Sequence, residues 1–308
     1  MLVLLSGGTG GAKLIHGLSC EVDPTELTII GNTADDFVLH GLHISPDLDT
    51  ILYTLAGLSD TAKGWGIQED TFTVLEQLEK LGTETWFKLG DRDMATHITR
   101  TRLLREGLKL SHVTDRLRKK LGIHARIIPM SNDRIETKVV TAAGEISFQE
   151  YFVKQRWQPE VKRVFYAGVE ESRPAPGVRE AIRAAAAIII CPSNPVTSIG
   201  PILAIPGLKQ TLMEATAPVV AVSPLIGQSA ISGPAHKLMA AHGHDPSALG
   251  VAESYADLLD KFVIDHADEK LRRKIEALDI EVAPTSIVMN GLADKKRLAR
   301  EVLALLEK

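Results

Sequence analysis

The residues of this chain that could do chemistry lie in short polar motifs, and the first of these is rich in glycine. The stretch Gly7 to Lys13 reads Gly-Gly-Thr-Gly-Gly-Ala-Lys and directly follows the apolar run Met1 to Ser6. Glycines let the backbone approach a bulky anion, and a helix that follows directs free N–H groups at the charge. We interpret the loop as a phosphate cradle, the alternative being an ordinary strand–turn–helix connection. Its candidate donor-binding residues are Gly8, Thr9, Gly10 and Lys13.

The glycine pattern excludes two familiar kinds of nucleotide site. A Walker loop requires Gly-Lys-Ser/Thr, whereas Ala12 precedes Lys13 and Leu14 follows it. The dinucleotide fingerprint requires a third glycine in the slot that Lys13 occupies. An NAD-dependent oxidoreductase is therefore not favoured.

A second polar loop, Asn32 to Asp36, follows the predicted strand Leu27 to Ile30. In a doubly wound sheet, such loops gather at the carboxyl edge of the strands, where ligands bind. Asn32 is therefore a candidate nucleotide contact, and Asp35 and Asp36 are candidates for holding a metal ion or a ribose.

The motif Ser45-Pro46-Asp47-Leu48-Asp49-Thr50 places two carboxylates near a helix N-terminus, with Ser45 suited to the N-cap and Pro46 to the first turn. The helix dipole stabilises carboxylates there without any function, so we expect one of the two to be structural. Residues two apart point to different sides of a helix and should not share one proton or one metal face. We favour Asp49, which lies deeper in the helix, as the functional carboxylate.

Lys88 stands next to two aromatic residues in the stretch Trp86 to Asp93. One interpretation is a capped loop, with Asp91 or Asp93 at the N-cap of the next helix. The functional interpretation is that the cation and the flat rings hold an aromatic, anionic acceptor.

Ser193 and Asn194 follow the apolar run Ala187 to Cys191. Their hydroxyl and amide groups suit hydrogen bonds to a phosphate, a ribose or a base, although Ser, Asn and Pro are also common turn formers. The position beyond an all-apolar strand favours the functional interpretation.

Composition limits the kinds of partner. With a net charge of −4, seven Phe, four Tyr and three Trp, the chain offers neither a basic field nor much stacking surface, so no nucleic-acid partner is expected. Its apolar runs are far shorter than the about 20 residues of a membrane span. The two cysteines, Cys20 and Cys191, lack a zinc-type spacing. We expect a cytoplasmic protein without a membrane partner.

The order of predicted elements indicates an α/β protein with a Rossmann-like, doubly wound, mostly parallel sheet. Residues 1–60 and 160–308 are predicted to form the nucleotide-binding core. Residues 61–159 are predicted to be a mainly helical insertion with a hairpin near 135–152. This insertion would form a lid or second wall at the sheet edge, where an acceptor would bind.

Taken together and in order, these motifs closely resemble those of the 2-phospho-L-lactate transferase family. The resemblance extends from Met1 to at least Glu253. The motifs that carry it are Ser6 to Lys13, Asn32 to Asp36, Ser45 to Thr50, Lys88 to His97, Pro192 to Pro201, Ser223 to Gly227 and Ser232 to Ala235.

The resemblance implies a transferase of deazaflavin coenzyme biosynthesis, as found in methanogens and some actinobacteria. A 2-phospho-L-lactyl group would pass from lactyl-2-diphospho-5′-guanosine to the terminal ribityl hydroxyl of the deazaflavin FO, releasing GMP and requiring Mg²⁺. Bacterial relatives use a phosphoenolpyruvyl donor. The resemblance also implies a Rossmann-like core, an inserted acceptor-binding region and a homodimer.

The family's FO contacts fall on Asp49 and Lys88. By position and chemistry, the glycine loop with Ser193 and Asn194 would hold the guanosine diphosphate portion. Asp49 would either bind Mg²⁺ or take the ribityl proton, and one carboxylate is enough for either role. Charge develops on the phosphoryl oxygens in the transition state, so cations and aligned N–H donors should dominate catalysis.

Two alternatives stay open. A related bacterial family of nucleotide-binding regulatory proteins shares the glycine-rich opening, although a regulator has no need of the Asp49 and Lys88 motifs. The sequence also does not decide between a phospholactyl and a phosphoenolpyruvyl donor, because the two differ at one carbon of a small group.

Overall fold

The computed structural model describes residues 1–61, 63–227, 229–230 and 233–306, so Ser232 of the last motif lies outside the described residues. In chain order the strands are β1 (Leu2–Ser6), β2 (Leu27–Gly31), β3 (Phe37–Leu39), β4 (Leu42–Ile44), β5 (Arg126–Pro129), β6 (Glu136–Thr141), β7 (Gly144–Ser147), β8 (Arg163–Ala167), β9 (Ala187–Ile190), β10 (Val219–Val222), β11 (Leu225–Ile226), β12 (Ser229–Ala230), β13 (Lys261–Asp265) and β14 (Glu281–Thr285). The helices are α1 (Gly8–Glu21), α2 (Pro46–Leu55), α3 (Thr73–Lys80), α4 (Asp91–Arg105), α5 (Leu110–Lys120), α6 (Val178–Arg183), α7 (Gly200–Ala204), α8 (Leu208–Met213), α9 (Ala235–Ala241), α10 (Ala248–Ser254), α11 (Arg272–Glu276) and α12 (Leu292–Leu306).

Within the described residues, seven strands form one sheet in the order β14-β13-β10-β9-β1-β2-β5. Every pairing in this sheet is parallel. The chain first builds outward from β1 to β2 and β5, then returns and places β9 on the other side of β1. The predicted doubly wound α/β fold is confirmed, and its topological switch point lies between β1 and β9.

Helices cover both faces of the parallel sheet, so its inner strands are buried on both sides. Such strands are continuous apolar runs instead of alternating ones, and β9 and β10 are buried at every position. Successive residues of β1 enter different cores: Val3 and Leu5 belong to one hydrophobic cluster, and Leu4 belongs to the other. The two hydrophobic clusters therefore lie on opposite faces of the sheet.

The helices predicted as an insertion pack into the second of these cores. Leu103 of α4 and both Val113 and Leu117 of α5 share a hydrophobic cluster with Leu4 and with Ile29 of β2. The helical segment is therefore packed against the same sheet that carries the glycine loop.

Two strands differ from the organisation predicted from the sequence. β5 lies inside the range 61–159, yet it pairs with β2 in the main sheet. β8 lies in the range assigned to the core, yet it pairs with β6 in a three-stranded antiparallel sheet. Both are short apolar runs, and periodicity alone does not say which sheet such a run joins. The hairpin predicted near 135–152 is present as β6 and β7.

A second hairpin, β3–β4, stands at the carboxyl edge of the main sheet. Its turn residues His40 and Gly41 both have positive φ, at 51° and 74°. Two left-handed residues are what a two-residue turn needs to match the twist of its strands. The hairpin places Phe37 and His43 beside the carboxylates described below.

Across the described parts of the chain, none of the helices combines the length and the apolar character needed to cross a bilayer.

Candidate active site

The N-terminus of α1 is open to an anion. β1 ends at Ser6, and α1 begins at Gly8 with Gly7, which has no side chain, as its N-cap. The first turn of α1 contains no acidic residue. The positive end of the helix dipole and the N–H groups after Gly8 therefore remain available for a phosphate.

The glycines of this loop also allow close approach between parts of the protein. A Cβ on Gly10 would collide with the carbonyl oxygen of Pro192, and one on Gly11 would collide with the hydroxyl of Ser6. Gly8 has a φ of +68°, which favours glycine for a backbone reason. The loop is thus wedged against the segment that follows β9, at the switch point.

Ser193 and Asn194 hold this junction together. The hydroxyl of Ser193 accepts a hydrogen bond from the Gly7 N–H at 3.2 Å. The side-chain oxygen of Asn194 caps the following π-helical turn by accepting from Val196 N at 2.9 Å and Thr197 N at 3.3 Å. In this arrangement both residues shape the cradle, and their contacts with a nucleotide remain predictions.

Asn32 is fully buried and holds Asp47. Its amide nitrogen donates to Asp47 Oδ2 at 2.8 Å and to the carbonyl of Thr197 at 3.1 Å. Its oxygen accepts from the Ala34 N–H at 3.0 Å. The Gly8 N–H also donates to the Asp47 carboxylate. Asn32 therefore links the second polar loop to α2, and Asp47 links α2 to the glycine loop.

Three carboxylates are buried close together beside the glycine loop, and each resists ionisation. Burial raises the pKa of Asp35 well above its usual range, and the nearby charges of Asp47 and Asp36 add to the effect. Burial, with the charge of Asp36, raises the pKa of Asp47 to about 6 against the opposing hydrogen bond from Asn32. Burial also raises the pKa of Asp36. Mutual repulsion and desolvation are what a bound cation would relieve.

The oxygens of Asp35 and Asp36 fit such a cation. Asp36 Oδ2 accepts from Ser45 Oγ at 2.7 Å and lies 3.0 Å from His43 Nε2. Asp36 Oδ1 and Asp35 Oδ1 are buried without a hydrogen-bond partner. The described residues contain no ready-made cluster of three or more His, Cys, Asp or Glu ligands. Mg²⁺ needs only one or two carboxylates besides waters and substrate phosphates, so this donor set suits it.

The two carboxylates of the Ser-Pro-Asp-Leu-Asp motif point to different sides of α2, as predicted. Asp47 faces the glycine loop, whereas Asp49 faces α4 and accepts hydrogen bonds from Arg100 on both of its oxygens, with NH1 to Oδ2 at 3.0 Å. Pro46 occupies the first helical turn as expected, and Ser45 sits at the N-cap without capping the helix through its side chain. Asp49 is 4% exposed and Arg100 is 1% exposed.

Lys88 lies exposed in the loop that leads into α4. Next to it, Trp86 and Phe87 form an aromatic cluster with Phe37 of the β3–β4 hairpin. The ring centroids of Phe37 and Phe87 are 4.9 Å apart, and those of Phe37 and Trp86 are 5.9 Å apart. The flat surface predicted beside Lys88 is thus built from two segments of the chain.

Sequence reasoning does not single out Asp47, Phe37 or Arg100. Depth in the helix favours Asp49 over Asp47 as the functional carboxylate, yet Asp47 lies at the glycine loop. Phe37 follows Asp36 directly, which is a signal that an aromatic residue accompanies the carboxylates. Arg100 stands seven residues after Asp93 and three after His97, the spacing of one helix face, and that spacing is a signal that could identify it.

Comparisons with known proteins place this geometry in a family. The sequence model of the family described as 2-phospho-L-lactate transferase CofD matches residues 2–300. The chain belongs to the CofD family. A CofD-family transferase acts on small molecules, which agrees with a glycine-rich helix N-terminus beside several carboxylates.

Relatives of this CofD-family chain have two different names. The 2-phospho-L-lactate transferase of Methanosarcina mazei is 43% identical over 98% of this chain and 99% of its own length. That of Methanothermobacter thermautotrophicus is 44% identical over 98% of this chain and 97% of its own. The phosphoenolpyruvate transferase of Streptomyces griseus is 43% identical over 99% of this chain and 98% of its own. The identity is the same for both names, so the comparison leaves the donor open.

A solved structure shows the same fold at lower identity. A member of the UPF0052 family from Bacillus halodurans has a TM-score of 0.68 at 18% identity, covering 98% of each chain. This similarity supports the α/β architecture of the CofD-family chain.

Proposed function

We propose that this chain transfers the 2-phospho-L-lactyl group of lactyl-2-diphospho-5′-guanosine to the ribityl hydroxyl of FO, releasing GMP. One observation carries the proposal: the glycine-rich N-terminus of α1 and a set of carboxylates with raised pKa values meet at the switch point of a CofD-family chain. The same transfer with a phosphoenolpyruvyl donor is the second candidate, because a relative with that name is equally similar.

The donor would bind with its diphosphate at the N-terminus of α1. The N–H groups at Thr9 and Gly10 would contact its oxygens, as would that of Gly8 once released from the Asp47 carboxylate. Lys13, which is half-buried, would add a positive charge. Asn32, Ser193 and Asn194 would complete the nucleotide side of the site, in part by holding the loop in this shape.

Mg²⁺ would be held by the unpartnered oxygens of Asp35 and Asp36 together with donor phosphate oxygens. When bound, the ion would neutralise charge that develops on the transferred group and on the leaving GMP. Asp49 is a further metal candidate from the sequence. Because both of its oxygens accept from Arg100, the geometry favours Asp49 as a contact for the acceptor over Asp49 as a metal ligand.

The acceptor would bind on the side of α4. Lys88 would pair with the anionic deazaflavin, and the rings of Phe37, Trp86 and Phe87 offer an apolar surface for its flat ring system. Asp49 would accept hydrogen bonds from the ribityl chain. Donor and acceptor would thus approach each other from α1 and α4, on either side of α2.

The chemistry is a substitution at phosphorus. The ribityl oxygen forms a bond to the phosphorus that bears lactate, the bond from that phosphorus to the GMP oxygen breaks, and the hydroxyl proton leaves. Asp49 is one candidate acceptor for this proton, the sequence having left it open between that role and binding Mg²⁺. Asp47 is a second candidate, since its Oδ1 faces Gly8 and a pKa of about 6 suits a general base.

One assay tests the function and the donor together. The purified protein is incubated with FO, Mg²⁺ and each guanylated donor in turn, and the product is identified by mass. We expect a phospholactyl-FO product that requires Mg²⁺. A phosphoenolpyruvyl product alone would select the second candidate, and the absence of FO binding would favour a nucleotide-binding regulator.

Two broader expectations accompany this proposal. We expect a homodimer, which light scattering after gel filtration would measure, and a cytoplasmic location, which fractionation of the source cells would test.

A further inference from the structure

Arg100 is the most deeply buried charged side chain of α4. It is 1% exposed, and it lies on the inner face of α4. Its guanidinium donates to both oxygens of Asp49, and NH1 also lies 3.2 Å from His97 Nδ1. Two ions buried at this depth lose their hydration, and only good mutual geometry offsets that loss. The pair therefore holds the Asp49 carboxylate in one orientation.

A second contact joins the same two helices. His97 Nε2 lies 3.1 Å from Asp93 Oδ1, and the hydroxyl of Tyr53 donates to that same oxygen at 2.5 Å. Tyr53 lies one turn after Asp49 on α2. Helix α2 is thus joined to α4 at two levels, by Asp49 with Arg100 and by Tyr53 with Asp93.

The same helix begins at the Lys88 loop. Lys88 precedes the first residue of α4 by three positions, and Arg100 stands in the third turn. Because Lys88 lies in the loop directly before α4, the ion pair of α4 with Asp49 relates the position of Asp49 to that loop. The two acceptor contacts come from distant parts of the sequence, and α4 is the element that relates them.

We propose that Arg100 is a positioning residue of the acceptor site, which fixes the Asp49 carboxylate in register with Lys88 so that both meet one acceptor molecule. This inference rests on the proposed function, because it concerns the binding of FO. Arg100 itself touches no substrate. Its planar fork engages both carboxylate oxygens, which the point charge of a lysine does not reproduce.

The first test compares Arg100→Lys with Arg102→Lys, a matched control on the same helix. Arg102 is exposed and pairs with Glu106 on the surface of α4. For Arg100→Lys we expect the Kd for FO, measured by fluorescence titration, to rise by about tenfold to a hundredfold. The Kd for GDP, measured by calorimetry, should stay within about twofold. Arg102→Lys should leave both constants unchanged.

A double-mutant cycle keeps the test decisive if the single variants are destabilised. Arg100→Gln, Asp49→Asn and the double variant are compared for FO affinity, after circular dichroism has shown which of them fold. If Arg100 acts through Asp49, the double variant binds FO about as weakly as Asp49→Asn alone. Independent effects that multiply in the double variant would overturn the proposal.

Failure of the inference is distinguishable from failure of the proposed function. Wild-type protein that binds no FO would overturn both. Wild-type protein that binds FO, with an Arg100→Lys variant that has lost stability but keeps wild-type FO affinity, would overturn only the positioning role. A parallel rise in the Kd values for FO and GDP would do the same, since it would indicate a general distortion of the site.

Discussion

At the scale of single residues, the carboxylates beside the glycine loop destabilise the apo protein when they ionise. The pKa of Asp35 is raised by burial and by its acidic neighbours, so the folded protein binds that proton more tightly than the unfolded chain does. Ionisation of Asp35 therefore costs stability above the pKa of the unfolded chain, about 3.9, and the full cost is reached above the folded pKa. Such a site lowers the stability of the apo protein and raises its affinity for a cation.

We expect Asp35→Asn to raise the Tm at pH 8 in the presence of EDTA, by about 2–4 °C for each kcal/mol relieved. The gain should shrink as the pH falls and vanish below about 3.9, the pKa of the unfolded chain, where Asp35 is protonated in both states. Differential scanning fluorimetry across this range measures it. Added Mg²⁺ should stabilise the wild type more than the variant, and an equal response of the two would remove Asp35 from the metal site.

The two carboxylates of α2 should respond in opposite ways to neutralisation. Asp49→Asn leaves the guanidinium of Arg100 buried without its counter-ion, which we expect to cost about 3 kcal/mol of unfolding free energy. Asp47→Asn removes a charge that burial disfavours, and it should be neutral or stabilising at pH 8. Urea denaturation of both variants tests this, and the reverse order would contradict it. Both variants should transfer poorly, because each loses a carboxylate that the proposed reaction uses.

Lys13 supplies a charge that no carboxylate of the described residues neutralises through an ion pair. Replacing it with alanine should weaken donor binding by about tenfold while leaving the fold and FO binding intact. Calorimetry with GDP and fluorescence titration with FO separate the two sites. An unchanged affinity for GDP would count against the phosphate cradle.

At the scale of elements, the functional unit is the junction of α1 with the segment after β9. Gly10 has no room for a side chain, because a Cβ there would collide with the carbonyl oxygen of Pro192. We expect Gly10→Ala to cost about 1–3 kcal/mol of stability and to weaken GDP binding, as the helix N-terminus moves away from the switch point. Gly291→Ala is the control, since a Cβ on Gly291 would meet no atom within 4 Å and its φ is not positive. Equal effects of the two substitutions would contradict a packing role for Gly10.

At the scale of the whole molecule, the helical segment and the sheet share a core. Leu103, Val113 and Leu117 belong to the same hydrophobic cluster as Leu4 and Ile29. A segment packed in this way should not unfold separately from the sheet.

We therefore expect a single cooperative unfolding transition. All three tryptophans, at positions 65, 86 and 157, lie in the range 61–159, so their fluorescence reports on the helical segment. Far-UV circular dichroism reports on the whole chain. Coincident urea midpoints by the two probes are expected. An earlier fluorescence midpoint would indicate that residues 61–159 form an independent unit, as an insertion would.

The sequence by itself determined the features that depend on local physics. The apolar runs of β1, β9 and β10 predicted a covered parallel sheet, and the glycines around the start of α1 predicted a helix N-terminus at its carboxyl edge. Pro46 in the first turn of α2 and the divergent directions of Asp47 and Asp49 follow from helix geometry in the same way. Such features are set by neighbours within a few residues along the chain.

Only the tertiary structure decided which charged and aromatic groups lie close together and which strand joins which sheet. Asp49 meets an arginine 51 residues away, and Phe37 meets two rings about 50 residues away. The sequences of short apolar runs such as β5 and β8 do not indicate with which strand each run pairs. The charge state of a buried carboxylate depends on its desolvation and on charges close in space, and neither quantity is encoded by spacing along the chain.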